Sequence, residues 1–283
     1  MHLQPFTFCN LSCSHCYCNS SPSASKFRLD IQVWRDLIRR FDEYGIAEVF
    51  ITGGETTLLD GAWELLAEIR SRGMGTGIST NAVLVTPTIL DRLRELSITR
   101  VQVSIDGCEK THEFFRGRQG QFHKTISNIA KLASIAEPVI NTTVNQLNLH
   151  ELDGIVKIGK SAGARKFKFF PQKRTGRAAS LCDLALSDKE ILGELASSCR
   201  ELSERHGVDI ETTTPNDLCG SGRSGFAVDE IADVYPCIFG IGSLSQRAGN
   251  LLQDSIDDLW FDAQVMVDFR KRVAQPCHNC EDL

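Results

Sequence analysis

The sequence predicts an α/β protein, in which a partial (βα)6 barrel is followed by a small α+β domain that contains a β-hairpin. Over residues 3 to 172, short runs rich in β-branched and aromatic residues alternate with longer amphipathic runs. This alternation is typical of repeated βα units around a parallel sheet. It stops near residue 180, after which GFAVDEIADVYPC indicates a hairpin. We therefore predict two domains, residues 1–180 and 181–283.

The elements follow in order along the chain. The predicted strands are LQPFTF, AEVFIT, GTGIST, RVQVSID, PVINTTV and KFKFF. The predicted helices between them are DIQVWRDLIRRFDEY, GAWELLAEIRSR, TPTILDRLREL, FHKTISNIAKLAS and LHELDGIVKIGKSAG. Two more helices are predicted in the second domain, at about 187–206 and in DSIDDLWFDAQVMVDFRKRV. In a barrel of this kind, the chemistry lies in the loops at the carboxyl ends of the strands.

Composition narrows the class of protein. The chain has 283 residues, 42% of them hydrophobic, and a formal net charge of −5. Its start lacks the basic and apolar regions of a signal peptide, and no apolar run approaches the roughly 18 residues of a membrane span. We expect a cytoplasmic protein that binds neither membranes nor nucleic acid, because mild acidity gives no basic footprint. Its eleven cysteines should then be reduced, so that short cysteine spacings indicate metal ligands.

Three of these cysteines lie in CNLSCSHC, at the loop after the first predicted strand. Cys9, Cys13 and Cys16 are separated by three and then two residues. Three thiolates can hold a [4Fe–4S] cluster by three irons and leave the fourth iron open. A zinc site completed by His15 or Cys18 is the alternative.

CNLSCSHC followed by Tyr17 resembles the cluster motif of radical S-adenosylmethionine (SAM) enzymes, and the resemblance extends over residues 1–178. It implies a partial (βα)6 barrel and a cluster on Cys9, Cys13 and Cys16. It also implies that SAM binds the open iron and is cleaved to a 5′-deoxyadenosyl radical.

The same resemblance implies a set of SAM contacts that follow successive strands. The GGE motif would bind the SAM amino group, although Thr56 stands where the family usually has proline. The guanidinium of Arg116 would bind the SAM carboxylate. Each of these residues alone is also typical of an ordinary cap or turn. The full set is Gly53, Gly54, Glu55, Ser79, Asn81, Ser104, Asp106 and Arg116.

Four later cysteines resemble the short auxiliary-cluster module called twitch. Cys219, Cys237, Cys277 and Cys280 are separated by seventeen, thirty-nine and two residues. The resemblance implies a second [4Fe–4S] cluster, and a structural zinc is the alternative. The longer SPASM module would need three further cysteines after Cys280, so we expect the shorter module. Full cysteine ligation favours an electron carrier over a substrate anchor.

Some remaining residues are candidates on position alone. Cys108 follows the fourth strand and is a candidate hydrogen-atom donor, with an inert thiol in a turn as the alternative. His112, His123 and His150 are interpreted as surface histidines.

The function that the resemblance implies is hydrogen-atom abstraction from a small-molecule substrate. Twitch-bearing relatives that act on aminoglycoside or aminocyclitol intermediates favour oxidation of a carbinol to a ketone, with the auxiliary cluster as electron acceptor. The alternatives are an epimerase with a cysteine hydrogen donor, an enzyme that modifies ribosomal peptides, and a non-catalytic iron–sulfur or zinc protein. A flavodoxin-type electron donor is the implied partner.

Overall fold

The computed structural model describes residues 1–213 and 220–271. The strands are β1 His2–Leu3, β2 Glu48–Ile51, β3 Gly75–Thr80, β4 Arg100–Ser104, β5 Glu137–Val144, β6 Lys166–Pro171, β7 Asp209–Thr212, β8 Ala227–Val228, β9 Asp233–Tyr235 and β10 Gly249–Asn250. The helices are α1 Ile31–Glu43, α2 Asp60–Ser71, α3 Pro87–Glu95, α4 Glu109–Arg116, α5 Phe122–Leu132, α6 Leu152–Ser161, α7 Asp188–Glu190, α8 Ala196–His206 and α9 Gln264–Lys271.

By packing, the chain divides into two compact units. The first contains the described residues among 1–10, 17–76 and 216–283, and the second contains those among 11–16 and 77–215. These units are defined by internal contacts and do not follow the boundary expected at residue 180. That boundary stays a prediction about the two sequence domains.

In the first unit, the strand order is β10-β9-β8-β1-β2. Strand β1 pairs in parallel with β2 and β8, whereas β8 and β9 form the antiparallel hairpin that GFAVDEIADVYPC indicated. Helix α1 begins at the Asp30 cap, whose side chain accepts the Gln32 N–H at 2.8 Å. The helix buries Trp34, Leu37, Ile38 and Phe41, which lie on one face and contribute to the apolar core of this unit.

In the second unit, the strand order is β3-β4-β5-β6-β7, and all neighbours are parallel. Helix α6 covers one face of this sheet. A Cβ on Gly159 would lie 2.7 Å from the Phe167 ring and 3.0 Å from Ile140, so only glycine lets the helix approach this closely. Ile140 and Phe167 therefore point to the helix side, and their strand neighbours point to the opposite face.

The predicted fold class is confirmed, because the structure is a mostly parallel α/β sheet of βα units followed by a small C-terminal part. Three local differences separate the predicted elements from the observed ones. The first predicted strand shortens to β1, because Phe8 forms only an isolated bridge with Ser21. The helix expected at 187–206 is interrupted by a π-helical turn at Ile191–Leu195. The last predicted helix likewise opens with a π-helical turn, Asp258–Asp262, before α9.

Three of the labelled elements were missed, namely α4, β7 and β10. Within the described ranges, no helix is long and apolar enough to cross a membrane.

Candidate functional site

The segment 13–16 of the cysteine loop is held by backbone contacts from distant parts of the second unit. The Arg177 Nε donates to the carbonyl oxygen of Cys13 at 2.7 Å, and the Arg177 N–H donates to that of Cys16 at 2.9 Å. The Ser14 N–H donates to the Phe115 carbonyl at 2.9 Å. These bonds to the main chain set the loop conformation.

A buried ion network lies beside this segment and ends at the Cys13 thiol. The Asp106 Oδ2 lies 2.5 Å from Arg116 Nη2 and 3.1 Å from His15 Nε2. Arg116 Nη1 lies 3.7 Å from Cys13 Sγ. The side chains of Asp106 and Arg116 are 1% and 11% exposed. Two residues of the predicted SAM set therefore contact each other, and one of them contacts a predicted cluster ligand.

The network keeps both Asp106 and Arg116 charged. Burial alone would raise the pKa of Asp106, but Arg116 and His15 outweigh burial and hold that pKa below its usual range. Burial would lower the pKa of Arg116, and the carboxylate of Asp106 reverses this and raises it. Burial raises the pKa of the Cys13 thiol, and the nearby Arg116 opposes that rise. A fixed cation at a thiol favours the thiolate, which is the form that binds metals.

His112 is buried next to Asp106, so the expectation of a surface histidine at this position was wrong. We expected a surface histidine, but His112 is 2% exposed on α4. The Asp106 N–H donates to its Nδ1 at 3.2 Å. Burial, reinforced by Arg116, lowers the pKa of His112 to about 4. His112 is thus a neutral acceptor at pH 7 that orients the Asp106 backbone. His123 and His150 are exposed, as expected.

The donor set of the loop is three cysteines, which is the set that a [4Fe–4S] cluster with one open iron uses. Each cysteine of such a cluster binds a different iron, so the three thiols need not converge on one atom. Among the residues that the structure describes, no group of three or more His, Cys, Asp and Glu side chains is arranged to hold one metal ion. His15, the predicted alternative zinc ligand, has its Nε2 on Asp106 instead. Cys9 lies in the first unit, where its N–H donates to the Ser21 carbonyl at 3.1 Å.

The two glycines of the GGE motif allow two backbone segments of the first unit to touch. Gly53 has a φ of +119°, and a Cβ there would meet the Phe6 carbonyl oxygen. A Cβ on Gly54 would meet the Phe8 carbonyl oxygen. The Gly54 N–H donates to the Phe6 carbonyl at 3.3 Å. Glycine is therefore needed at both positions for a structural reason that is independent of any ligand.

Glu55 is the third residue of that motif and is 2% exposed. Its N–H donates to the Phe8 carbonyl at 2.9 Å, and its Oε1 accepts the Thr57 hydroxyl at 2.7 Å. A buried carboxylate oriented in this way suits an ammonium group, so the contact between Glu55 and SAM stays a prediction with a compatible geometry.

The other predicted SAM contacts follow β3 and β4 in the second unit. Asn81 forms a turn after β3, where its Oδ1 accepts the Val83 N–H at 3.0 Å. The Thr125 hydroxyl of α5 donates to the Asn81 carbonyl at 3.1 Å. Ser79 and Ser104 are half-buried on their strands. The structure therefore holds the Asn81 turn rigidly and leaves both serines partly accessible.

The Cys108 thiol lies on the helix side of the second unit. A Cβ on Gly154 of α6 would be 2.8 Å from Cys108 Sγ, so the thiol packs directly against that helix. The Cys108 N–H donates to Glu151 Oε2 at 2.6 Å. Burial, and then Glu151, raises the pKa of the thiol. This packing favours the inert alternative, while the donor role stays a prediction.

Of the four auxiliary cysteines, Cys219, Cys277 and Cys280 lie outside the described residues. Cys237 precedes a short 3-10 turn, Ile238–Gly240, in the first unit. Phe239 in that turn meets the ring of Tyr17 edge-on, with ring centroids 5.5 Å apart. The residue after the first cysteine motif thus touches the residue two positions after Cys237.

Sequence reasoning missed the contacts that three residues of the second unit make at the candidate site, namely His15, His112 and Arg177. His15 was considered only as a zinc ligand, and Arg177 was given no role. Both are defined by contacts with residues far away in sequence, at Asp106 and Cys13. The available signal was their position: one lies between two cysteines, and the other follows the sixth strand.

Comparison with known proteins identifies the family to which this chain belongs. The profile "Radical SAM superfamily" matches residues 3–157, and the profile "Iron-sulfur cluster-binding domain" (SPASM) matches residues 219–281. The AdoMet-dependent heme synthase of Methanosarcina barkeri is 28% identical over 96% of this chain and 85% of its own length. The sporulation killing factor maturation protein SkfB of Bacillus subtilis is 28% identical over 93% of this chain and 65% of its own.

Solved structures share the fold. Streptococcus suis SuiB bound to the precursor peptide SuiA has a TM-score of 0.76 and 15% identity, covering 95% of this chain. The present chain spans 66% of that protein's length. BtrN in complex with AdoMet and 2-DOIA has a TM-score of 0.52 and 18% identity, covering 96% of this chain and 85% of BtrN. The first profile covers more than half of the chain and includes the cysteine loop, so this protein belongs to the radical SAM superfamily.

Proposed function

We propose that this radical SAM enzyme abstracts a hydrogen atom from a peptide. When bound, a four-iron cluster and SAM together supply the hydrogen-atom abstractor. Cys9, Cys13 and Cys16 would hold that cluster, and Glu55, Asn81 and Ser104 are among the residues that would contact SAM. The observation that carries the chemistry is the loop of Cys13 and Cys16, fixed by Arg177 and lying beside the Arg116 guanidinium.

The chain's own residues would do three things in this reaction. Arg177 and Phe115 hold the loop so that its thiols keep one geometry. Arg116 neutralises negative charge at Cys13, and Asp106 keeps that guanidinium in place. The four cysteines from Cys219 to Cys280 would hold an auxiliary cluster that receives the substrate's electron, and a flavodoxin-type protein would supply the reducing electron.

A peptide substrate is favoured over the small polar metabolite expected from the sequence. Its support is the likeness to SuiB with its bound peptide, which is much closer in fold than the likeness to BtrN. This likeness concerns the fold, so the substrate is our inference. Oxidation of a carbinol in an aminocyclitol-like metabolite is the second candidate, and the likeness to BtrN with 2-DOIA favours it.

The test has two stages. Anaerobically reconstituted protein reduced with dithionite should release 5′-deoxyadenosine from SAM, and Cys13→Ala should abolish the release. Cys199→Ala is the matched control, because Cys199 is a buried helix cysteine outside the loop. Release by Cys13→Ala at the parent rate would refute the assignment of the cluster to this loop.

In the second stage, release is measured with mixed peptide pools and, separately, with 2-deoxy-scyllo-inosamine. Stimulation by peptides supports the proposal. Stimulation by the aminocyclitol alone, with a product two mass units lighter and without carbon-bound deuterium in D2O, would establish the second candidate instead.

A further inference from the structure

Four polar side chains form a row across the sheet of the second unit. The strand register pairs Ser104 with Asn141, Asn141 with Lys168, and Lys168 with Glu211. Paired residues on parallel strands point to the same face. Since Ile140 and Phe167 point to α6, this polar row lies on the face away from that helix.

The polar row contains an acceptor without a donor. The Oδ1 atom of Asn141 is buried, and no hydrogen-bond partner reaches it within the described part of the chain. A buried polar atom of this kind is costly unless something donates to it. Ser104 beside it is half-buried. A ligand that presents an N–H or O–H to Asn141 would remove the cost.

Next to Asn141 lies a cation with a weakly held partner. The Lys168 side chain is 24% exposed, and its Nζ lies 2.9 Å from Glu211 Oε2. The Glu211 side chain is 55% exposed. An ion pair of this kind contributes little, because water screens the exposed carboxylate. A ligand carboxylate could therefore replace Glu211 at Lys168 with little loss.

The polar row lies close to the ion network of the candidate site. Ser104 ends β4, and Asp106 follows it by two residues, which corresponds to about 7 Å along an extended chain. Asn141 likewise precedes Thr143, whose N–H donates to Asp106 Oδ1 at 3.2 Å. A molecule bound on the row would thus lie beside the network that reaches Cys13.

We propose that Asn141 and Lys168 bind the substrate, with Asn141 accepting a peptide N–H and Lys168 binding a carboxylate of the same peptide. The inference rests on the proposed peptide function and makes it specific, because it assigns an acidic peptide. The carboxylate is either the C-terminus or an Asp or Glu side chain.

The experiment measures peptide retention by the full-length, anaerobically reconstituted protein with SAM present. Four pools of random hexapeptides combine free or amidated C-termini with Asp and Glu, or with Asn and Gln in their place. A fifth probe is citrate. Retained molecules are quantified by mass spectrometry after ultrafiltration.

We expect the parent protein to retain acidic pools and to discard the amidated neutral pool. Lys168→Met should lower acidic retention by about tenfold or more, as loss of a charge-assisted hydrogen bond predicts. Lys157→Met is the matched control, since Lys157 is 64% exposed on the outer helix α6. It should retain acidic peptides like the parent. Asn141→Leu should weaken retention of all peptides.

Glu211→Gln gives an independent check, because it is expected to increase binding. Damage to the sheet would decrease it. It removes the competitor for Lys168 at a half-exposed position, so acidic retention should rise. The pool that carries the effect identifies which carboxylate binds.

Three outcomes would overturn the inference: equal retention of acidic and neutral pools, no retention of any probe, or parent-like retention by Lys168→Met. Retention of citrate without any peptide would refute the peptide substrate and support carboxylate binding by Lys168. If the parent protein released no 5′-deoxyadenosine from SAM in the absence of peptide, that result would instead refute the cluster chemistry. The binding assay does not depend on that chemistry.

Discussion

Replacing Asp106 by asparagine should destabilise the protein strongly, because it leaves a buried guanidinium without its carboxylate. Asparagine keeps the size of the side chain and an acceptor for the Thr143 N–H. What is lost is the anion that lies 2.5 Å from Arg116 and 3.1 Å from His15. Breaking one partner of a buried ion pair costs about 3–5 kcal/mol.

The assay is urea unfolding of iron-free protein followed by circular dichroism, so that cluster loss does not register. A cost of this size should lower the unfolding midpoint by about 1 M or more. Asp106→Asn/Arg116→Met is the informative partner variant, because removing both charges takes away the unpaired cation. It should recover most of the lost free energy of unfolding.

The reasoning is refuted by an unfolding midpoint for Asp106→Asn that matches the parent, or by a double variant as unstable as the single one.

The dependence of stability on acid pH tests the same ion pair a second way. The folded pKa of Asp106 lies below its ordinary value of 3.8. Its stabilisation is therefore complete above that value and is lost as the pH falls further. Asp106→Asn should show a shallower loss of stability below pH 3.8 than the parent.

Three other predictions concern the cysteines and the glycines. The reconstituted parent should contain about eight irons per chain. The variant in which Cys9, Cys13 and Cys16 are all replaced by alanine should contain about four. An iron content of the variant equal to that of the parent would contradict the assignment. Gly54→Ala should cost about 3 kcal/mol or more in urea unfolding, because its Cβ would meet a main-chain carbonyl. Gly193→Ala, at a helical position with open space around the added Cβ, should be neutral or stabilise by up to about 1 kcal/mol, and equal effects of the two changes would argue against the contact. Cys108→Ser should retain substrate turnover, because the thiol packs on Gly154; turnover lost together with deuterium incorporation from D2O would show a hydrogen donor.

The sequence was sufficient for the fold because strands and helices repeat with clear periods. Strand β5, Glu137–Val144, alternates between buried and partly exposed residues along its whole length, and such a pattern is local information. Helix α4 was missed because it lacks a start signal: its N-cap residue is Cys108, whose side chain makes no capping bond.

The site was only partly predictable, since motifs identify residues and not their partners. Asp106 and Arg116 were selected as separate SAM contacts, yet in the structure they form one ion pair. Nothing near either residue in sequence indicates this. The pairing depends on how the strand end and the helix α4 pack, as does the burial of His112 between them.

The hold of Arg177 on the cysteine loop also sets an order of events during synthesis. Its Nε bonds to the Cys13 carbonyl across 164 positions of the chain. At a translation rate of about 5–20 residues per second, Cys13 is synthesised roughly 10–30 s before Arg177. The cysteine loop therefore cannot make this bond, or take the conformation that depends on it, until the sixth strand and Arg177 have been synthesised.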